Sequence, residues 1–236
     1  MTPPRRVRPA KMMVFFSSPR NQLQAHHANG FPVLLSFAVC SPWIEKGYSS
    51  SFSHLLIDSG AYSEMSSGFT LDPVAYFEWA DRFPSACAVA GCDSIDGDWR
   101  LSLERYKLGG FPTFHSTDPE GLLPDLLDIS RERGWWIGIG VKPNPTRSGF
   151  GDWIARTLDR IPEGFHVHGW ALCEYSYLSR FDSFDSTAWW RNALSIRAKL
   201  GDWCSYSEAL ELSIKKLIRE PKAVRGSDSQ GRLDLA

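Results

Sequence analysis

The sequence predicts an α/β protein, a single (β/α)8 TIM barrel, and three observations point there. Apolar runs of about five residues alternate with capped or amphipathic stretches of about ten, the pattern of repeated βαβ units on a parallel sheet. Eight such runs fit between residues 12 and 185 of a 236-residue chain, close to the roughly 250 residues such a barrel uses. The runs also end in acids, histidines or glycines, at the strand ends where a barrel carries its chemistry.

In chain order, residues 1–11 read as a flexible basic arm with Arg5, Arg6 and Arg8 set among prolines. The barrel spans 12–200. Met12 to Phe16 is a first strand, stopped by Ser17-Ser18-Pro19, and Arg20 to Gly30 holds a short helix. Val33 to Val39 and Leu55 to Asp58 are the second and third strands. Asp72-Pro73 starts a helix that reaches Pro84, with Asp as the N-cap and Pro in the first turn. Ala86 to Asp93 is a strand of small residues, followed by a helix from Asp98 to Leu108 that Gly109-Gly110 ends. Phe111 to His115, Trp135 to Gly140, Phe165 to Gly169 and Phe181 to Asp185 complete the strands. Helices over 119–133, 152–161, 174–180 and 187–200 separate or follow them. A C-terminal helix lies in 201–220, and 221–236, rich in Gly, Ser and charge, reads as a disordered tail.

Composition narrows the function classes. A net charge of −1 argues against a wholesale electrostatic grip on nucleic acid and leaves room for a local patch. Cysteines at 40, 87, 92, 173 and 204 form no C-x-x-C pair, which suggests neither a disulfide framework nor a cysteine-rich zinc site and suits a reducing cytoplasm. No apolar run approaches the roughly 18 residues of a membrane span. The expected setting is cytoplasmic, with no membrane partner.

Asp58 is the most informative residue. A carboxylate closing a buried strand must be paired or face a cleft, because burying a bare charge is prohibitive; the bland alternative is an Asp that caps its own turn. Asp93 and Asp185 repeat the arrangement. Two facing carboxylates suit substitution at an anomeric carbon, one attacking and one moving the leaving group's proton. His166 and His168 share one face of a strand and could join the acids in a divalent-metal site, which would make the protein a metal-dependent hydrolase. Gly138 and Gly140 lack the rest of a dinucleotide fingerprint and read instead as room for a flat ligand near the backbone. Trp189-Trp190 could stack a base or cover the barrel rim.

Leu56-Ile57-Asp58-Ser59-Gly60-Ala61-Tyr62-Ser63 resembles the Asp-Ser-Gly-Gly-Phe-Gln segment of the tRNA-guanine transglycosylases. It is closer still to that of their short phage and bacterial relatives, the DpdA-like DNA deazaguanine transglycosylases. Cys92-Asp93, Phe114-His115, Ile137 to Gly140 and His168-Gly169 follow in the family's order, and Arg180 to Thr187 is similar to its segment ending in Asp-Ser-Thr. The similarity covers roughly 12–200. It implies a barrel that exchanges guanine in a nucleic acid, DNA in preference to tRNA, for a 7-deazaguanine such as preQ0. On that resemblance Asp185 is the nucleophile at C1′, with Asp182 as its rival. Asp58 is the acid/base group, and Asp93 reads the purine edge. His115, Ser59, Gly60, Tyr62, Gly138, Gly140 and His168 line the base pocket.

The chain departs from the family in three places. Only Cys204 follows Asp185, so the family's zinc subdomain is expected to be absent, with no cofactor and no metal. His115 stands where the tRNA enzymes use glutamine, and Ile139 splits the double glycine of the sixth strand. The nucleic-acid backbone would then meet Arg5, Arg6, Arg8, Lys142, Arg147, Arg191, Lys215 or Lys216. A non-catalytic base- or nucleic-acid-binding subunit is a third reading.

Overall fold

A computed structural model of the chain describes residues 12–47, 49–95, 97–140, 150–170 and 180–219. The basic arm 1–11, nearly all of the helix expected over 174–180, and the tail 221–236 lie outside them, as do Lys142 and Arg147. Eight strands occupy Met13–Ser17 (β1), Pro32–Ser36 (β2), His54–Asp58 (β3), Ala88–Val89 (β4), Thr113–His115 (β5), Trp136–Gly140 (β6), His166–Gly169 (β7) and Ser183–Ser186 (β8). They form one sheet in the order β4-β3-β2-β1-β8-β7-β6-β5, and each neighbouring pair is parallel. The two ends of this order meet at Ala90 and Phe111. There Gly91 N–H donates to the Phe111 carbonyl at 2.8 Å, and Phe111 N–H donates to that of Val89 at 2.9 Å. The sheet is therefore a ring, the (β/α)8 TIM barrel the sequence predicts.

Helices Gln22–Ala28 (α1), Pro42–Gly47 (α2), Ala61–Ser67 (α3), Pro73–Ala80 (α4), Trp99–Tyr106 (α5), Leu123–Glu132 (α6), Phe150–Arg160 (α7), Ala188–Leu200 (α8) and Tyr206–Arg219 (α9) surround the ring. The caps follow the sequence. Asp72 accepts from Val74 and Ala75 N–H, Asp98 from Leu101 N–H, and Asn21 from Gln24 N–H. None of the helices among the described residues is long and apolar enough to cross a membrane.

Strand alternation divides the side chains between two environments. Phe16, Val33, Leu35, Leu55 and Ile57 point outward into one core with α4 and α8, while Phe114, Ile137, Ile139, Val167 and Phe184 point into a second with α6 and α7. Phe15, Leu34, Leu56, Ala90 and Phe111 fill the barrel interior, with Trp136 and Trp170 against them.

Several expectations are corrected. Helices α2 and α3 arise in stretches to which the sequence assigned no element: Pro42–Gly47 and Ala61–Ser67 are six and seven residues long, too short to show an apolar period. β2 ends at Ser36 and not at Val39: Phe37 N–H makes the last ladder bond, to the Asp58 carbonyl, and Val39 N–H then folds back onto the Ser36 carbonyl. The strand expected over 86–93 keeps ladder pairing only at Ala88 and Val89, plus the bridge at Ala90. Trp189 is no stacking platform for a base. It is fully buried, stacks on Phe16 with centroids 5.3 Å apart, and donates its indole N–H to the Ser17 carbonyl at 3.2 Å. Trp189→Ala is expected to cost about 3–5 kcal/mol of stability, readable as a lower urea midpoint at unchanged slope.

Candidate active site

All eight strands run the same way, so their C-terminal ends open on one rim, and the acids foreseen from the sequence meet there. Asp58 ends β3 and Asp185 lies one residue from the end of β8; Asp93 follows the closing bridge and His115 ends β5. The ring brings together acids up to 127 positions apart in sequence (185 − 58).

Asp58 is held by the Ser36 hydroxyl from the end of β2 and by the Gly60 N–H. Its carboxyl is pushed up to about 7, first by burial, which the two hydrogen bonds oppose, and then by the negative charges of Asp93 and Asp185. Asp93 and Asp185 are thus both close enough to act on Asp58. Asp185 accepts the Ser17 hydroxyl at 2.8 Å on Oδ2, while its Oδ1 lies 3.9 Å from His168 Nε2. Asp93 and His115 form a buried pair with Oδ2 to Nε2 at 2.5 Å. Burial acts to lower the His115 pKa, but the Asp93 hydrogen bond and charge outweigh it, and the pKa is raised. Asp118 adds to this and also accepts the His115 backbone N–H at 2.7 Å.

The Asp-Ser-Gly turn is rigid for a steric reason. Gly60 has φ +85°, and a Cβ there would come within 2.5 Å of the Ala38 Cβ. Ser59 beside it is fully buried, and its hydroxyl makes no hydrogen bond among the described residues. Glu64 on α3 grips Arg105 of α5 through both oxygens, at 2.9 and 3.1 Å, and Arg105 Nη1 reaches the Asp93 carbonyl at 3.4 Å. This ion pair ties the Asp58 turn to the Asp93 loop. Tyr62, on the first turn of α3, is 59% exposed.

The glycines of β6 serve neighbours within the chain and not a ligand-ready floor. A Cβ at Gly138 would collide with the Trp170 indole, which donates to Thr113 Oγ1 at 3.1 Å. A Cβ at Gly140 would sit 2.5 Å from His115 Nδ1. Both glycines leave room for aromatic rings of the protein itself.

His168 is fully buried and does point into the barrel, with burial and the nearby His166 holding its pKa well below the ordinary value. Asp182, the rival for the nucleophile, is buried with Oδ2 accepting the Val167 N–H at 2.8 Å, a structural role away from the rim. Among the described residues no three His, Cys, Asp or Glu side chains converge as a metal-ligand set, and His166 and His168 direct ring nitrogens at the Ser183 hydroxyl. The metal-hydrolase reading therefore lacks its ligands there.

Sequence reasoning missed Ser17 and Ser36, the hydroxyls that orient the two acids. The signal was present, since each is a polar residue closing an apolar strand, as Asp58 is. Of the cations expected to meet a nucleic-acid backbone, Lys215 is paired with Glu211 on α9 at 3.4 Å.

No family model matches the chain, and no curated protein matches it. Among solved structures, the YdjI aldolase from Escherichia coli K12 aligns over 94% of each chain at 9% identity and a TM-score of 0.34, a likeness too distant to bear on fold or chemistry.

Proposed function

We propose that the protein is a glycosyl-transferring enzyme that exchanges guanine in a nucleic acid, DNA in preference to tRNA, for a 7-deazaguanine such as preQ0. The carrying observation is the pairing of Asp58 and Asp185 on one rim, each within the other's field, with Asp58 pushed up to about 7. At neutral pH such a pair offers a proton donor beside a carboxylate, the combination that displacement at an anomeric carbon requires. Asp185 attacks C1′ of the flipped nucleotide while Asp58 protonates the departing guanine. Asp58 then accepts a proton from the incoming base as that base attacks C1′ and releases Asp185. Asp93, fixed by His115, supports a reading role for its carboxylate at the purine edge. The preference for DNA rests on the likeness of the 56–63 segment to the short relatives.

Release of labelled guanine from DNA and from tRNA, with candidate deazaguanines added one at a time, tests the reading. Release from neither substrate, with the protein folded, would remove it. A pH dependence also follows. Guanine release in a single turnover needs Asp58 protonated, so the rate is expected to fall as pH rises through about 7. A rate flat from pH 6 to 8.5 would take Asp58 out of the acid role.

A further inference from the structure

The interior of this barrel is unevenly lined. On β1 to β4 it is filled by Phe15, Leu34, Leu56 and Ala90, but β7 and β8 place His166, His168 and Ser183 inside. Such layers are ordinarily filled by branched apolar side chains. Ser183 pairs with Met13 on one side and His168 on the other, directly below Asp185. Its hydroxyl lies 2.8 Å from His168 Nδ1 and 2.8 Å from His166 Nε2. His166 starts β7 at the opposite end of the barrel, where it stacks on Trp136 with centroids 3.6 Å apart. His168 Nε2 is buried, makes no hydrogen bond among the described residues, and faces Asp185 at 3.9 Å.

We infer that His168, Ser183 and His166 form a polarised relay through the barrel, in which the Asp185 carboxylate sets the proton positions on both rings and the His168 N–H holds Asp185 in its ionised form. The polarity follows from the proton inventory of each group. A bare nitrogen lone pair turned toward a carboxylate in a low-dielectric interior is repelled, whereas an N–H there is attracted even at a separation too long for a hydrogen bond. Neutral His168 therefore carries its proton on Nε2. Its Nδ1 is then an acceptor, so the Ser183 hydroxyl donates to it. That leaves the Ser183 oxygen to accept, and His166 must supply an Nε2–H. Every N–H and O–H along the line points toward Asp185. In the proposed exchange, which this consequence rests on, the relay keeps the negative charge on Asp185 and the shared proton on Asp58. His168 faces the reacting carboxylate at 3.9 Å, and His168, Ser183 and His166 are all positioning residues.

Imidazole 15N spectra of protein labelled at its six histidines test the relay without any substrate. The expected wild-type state of His168 is the neutral Nε2–H tautomer. Asp185→Ala is expected to shift the His166 nitrogen signals, and the same change in a Ser183→Ala background is expected to leave them in place. A His168 in the Nδ1–H or doubly protonated form overturns the inference. So does a His166 response to Asp185→Ala that is absent with Ser183 present or equally large without it, since direct through-space charge would act in both backgrounds. In the exchange assay His168→Gln, which keeps an N–H toward Asp185, is expected to retain at least about tenfold more kcat than the similarly sized His168→Met, at similar KM. Equal kcat in the two variants overturns the part assigned to Asp185. If no nucleic acid supports exchange, the proposed function fails and the spectra alone decide the relay.

Discussion

Asp185→Asn is expected to lower base exchange by about 10⁴-fold or more, the scale of loss when a covalent nucleophile is removed from an otherwise intact site. An amide oxygen cannot form the glycosyl ester, yet it keeps the shape of the carboxyl and can still accept the Ser17 hydroxyl that now reaches Oδ2 at 2.8 Å. The side chain is only partly buried, so the fold should survive with a melting temperature within a few degrees of wild type. Labelled-guanine release measured beside a thermal melt separates the two effects. Near-normal release by the Asn variant would falsify the nucleophile assignment. Loss of release with a collapsed melt would point instead to a structural role for the Ser17–Asp185 tie.

Asp58→Asn is expected to slow exchange by roughly 10² or more, the usual worth of a general acid/base group. It should also flatten the fall in rate above about pH 7. Stability should move the other way. Asp58 holds its proton up to about 7 in the folded chain, against an ordinary value of 3.8, so the folded state binds more protons than the unfolded one between these limits. Folding stability therefore declines as pH rises through that window and stays lowered above it. Asn carries no titrating proton and escapes the loss. The variant's advantage in urea midpoint is expected to be small near pH 4, to grow toward pH 7, and to level off beyond it. An advantage independent of pH would mean that burial and the neighbouring acids do not act on Asp58 as described. Slower catalysis joined to higher stability is the signature of a group kept strained for function.

Much of the fold was legible because barrel units are written locally. Apolar runs such as 33–35 and 55–57, punctuated by Gly, Pro and capping Asp, need only period and turn chemistry to be read. The candidate site was legible to the extent that Asp58, Asp93, His115 and Asp185 each end or closely follow an apolar strand. Helix α3 was not legible, since Ala61–Ser67 is a polar segment whose N-terminus is set by Gly60 packing against Ala38. The two readings of Trp189, base platform or rim cover, stayed open for the converse reason. Adjacent tryptophans after an acid-bearing strand look alike in sequence, and only the turn of α8 decides that Trp189 is buried while Trp190 stays partly exposed beneath the Arg20 guanidinium.

By itself, the order of residues determined that strands and helices alternate eight times and that acids stand at the strand ends, because periodicity and caps act over a few residues. Closure of the ring at Ala90 and Phe111 decided that those acids share one space, and so decided that Asp58 titrates near neutrality. It also decided that Gly138 and Gly140 serve Trp170 and His115, and that Ser183 lies between two histidines. Distances across a barrel, and the desolvation they bring, are set by which strands are neighbours, and strand neighbourhood is a property of the closed sheet.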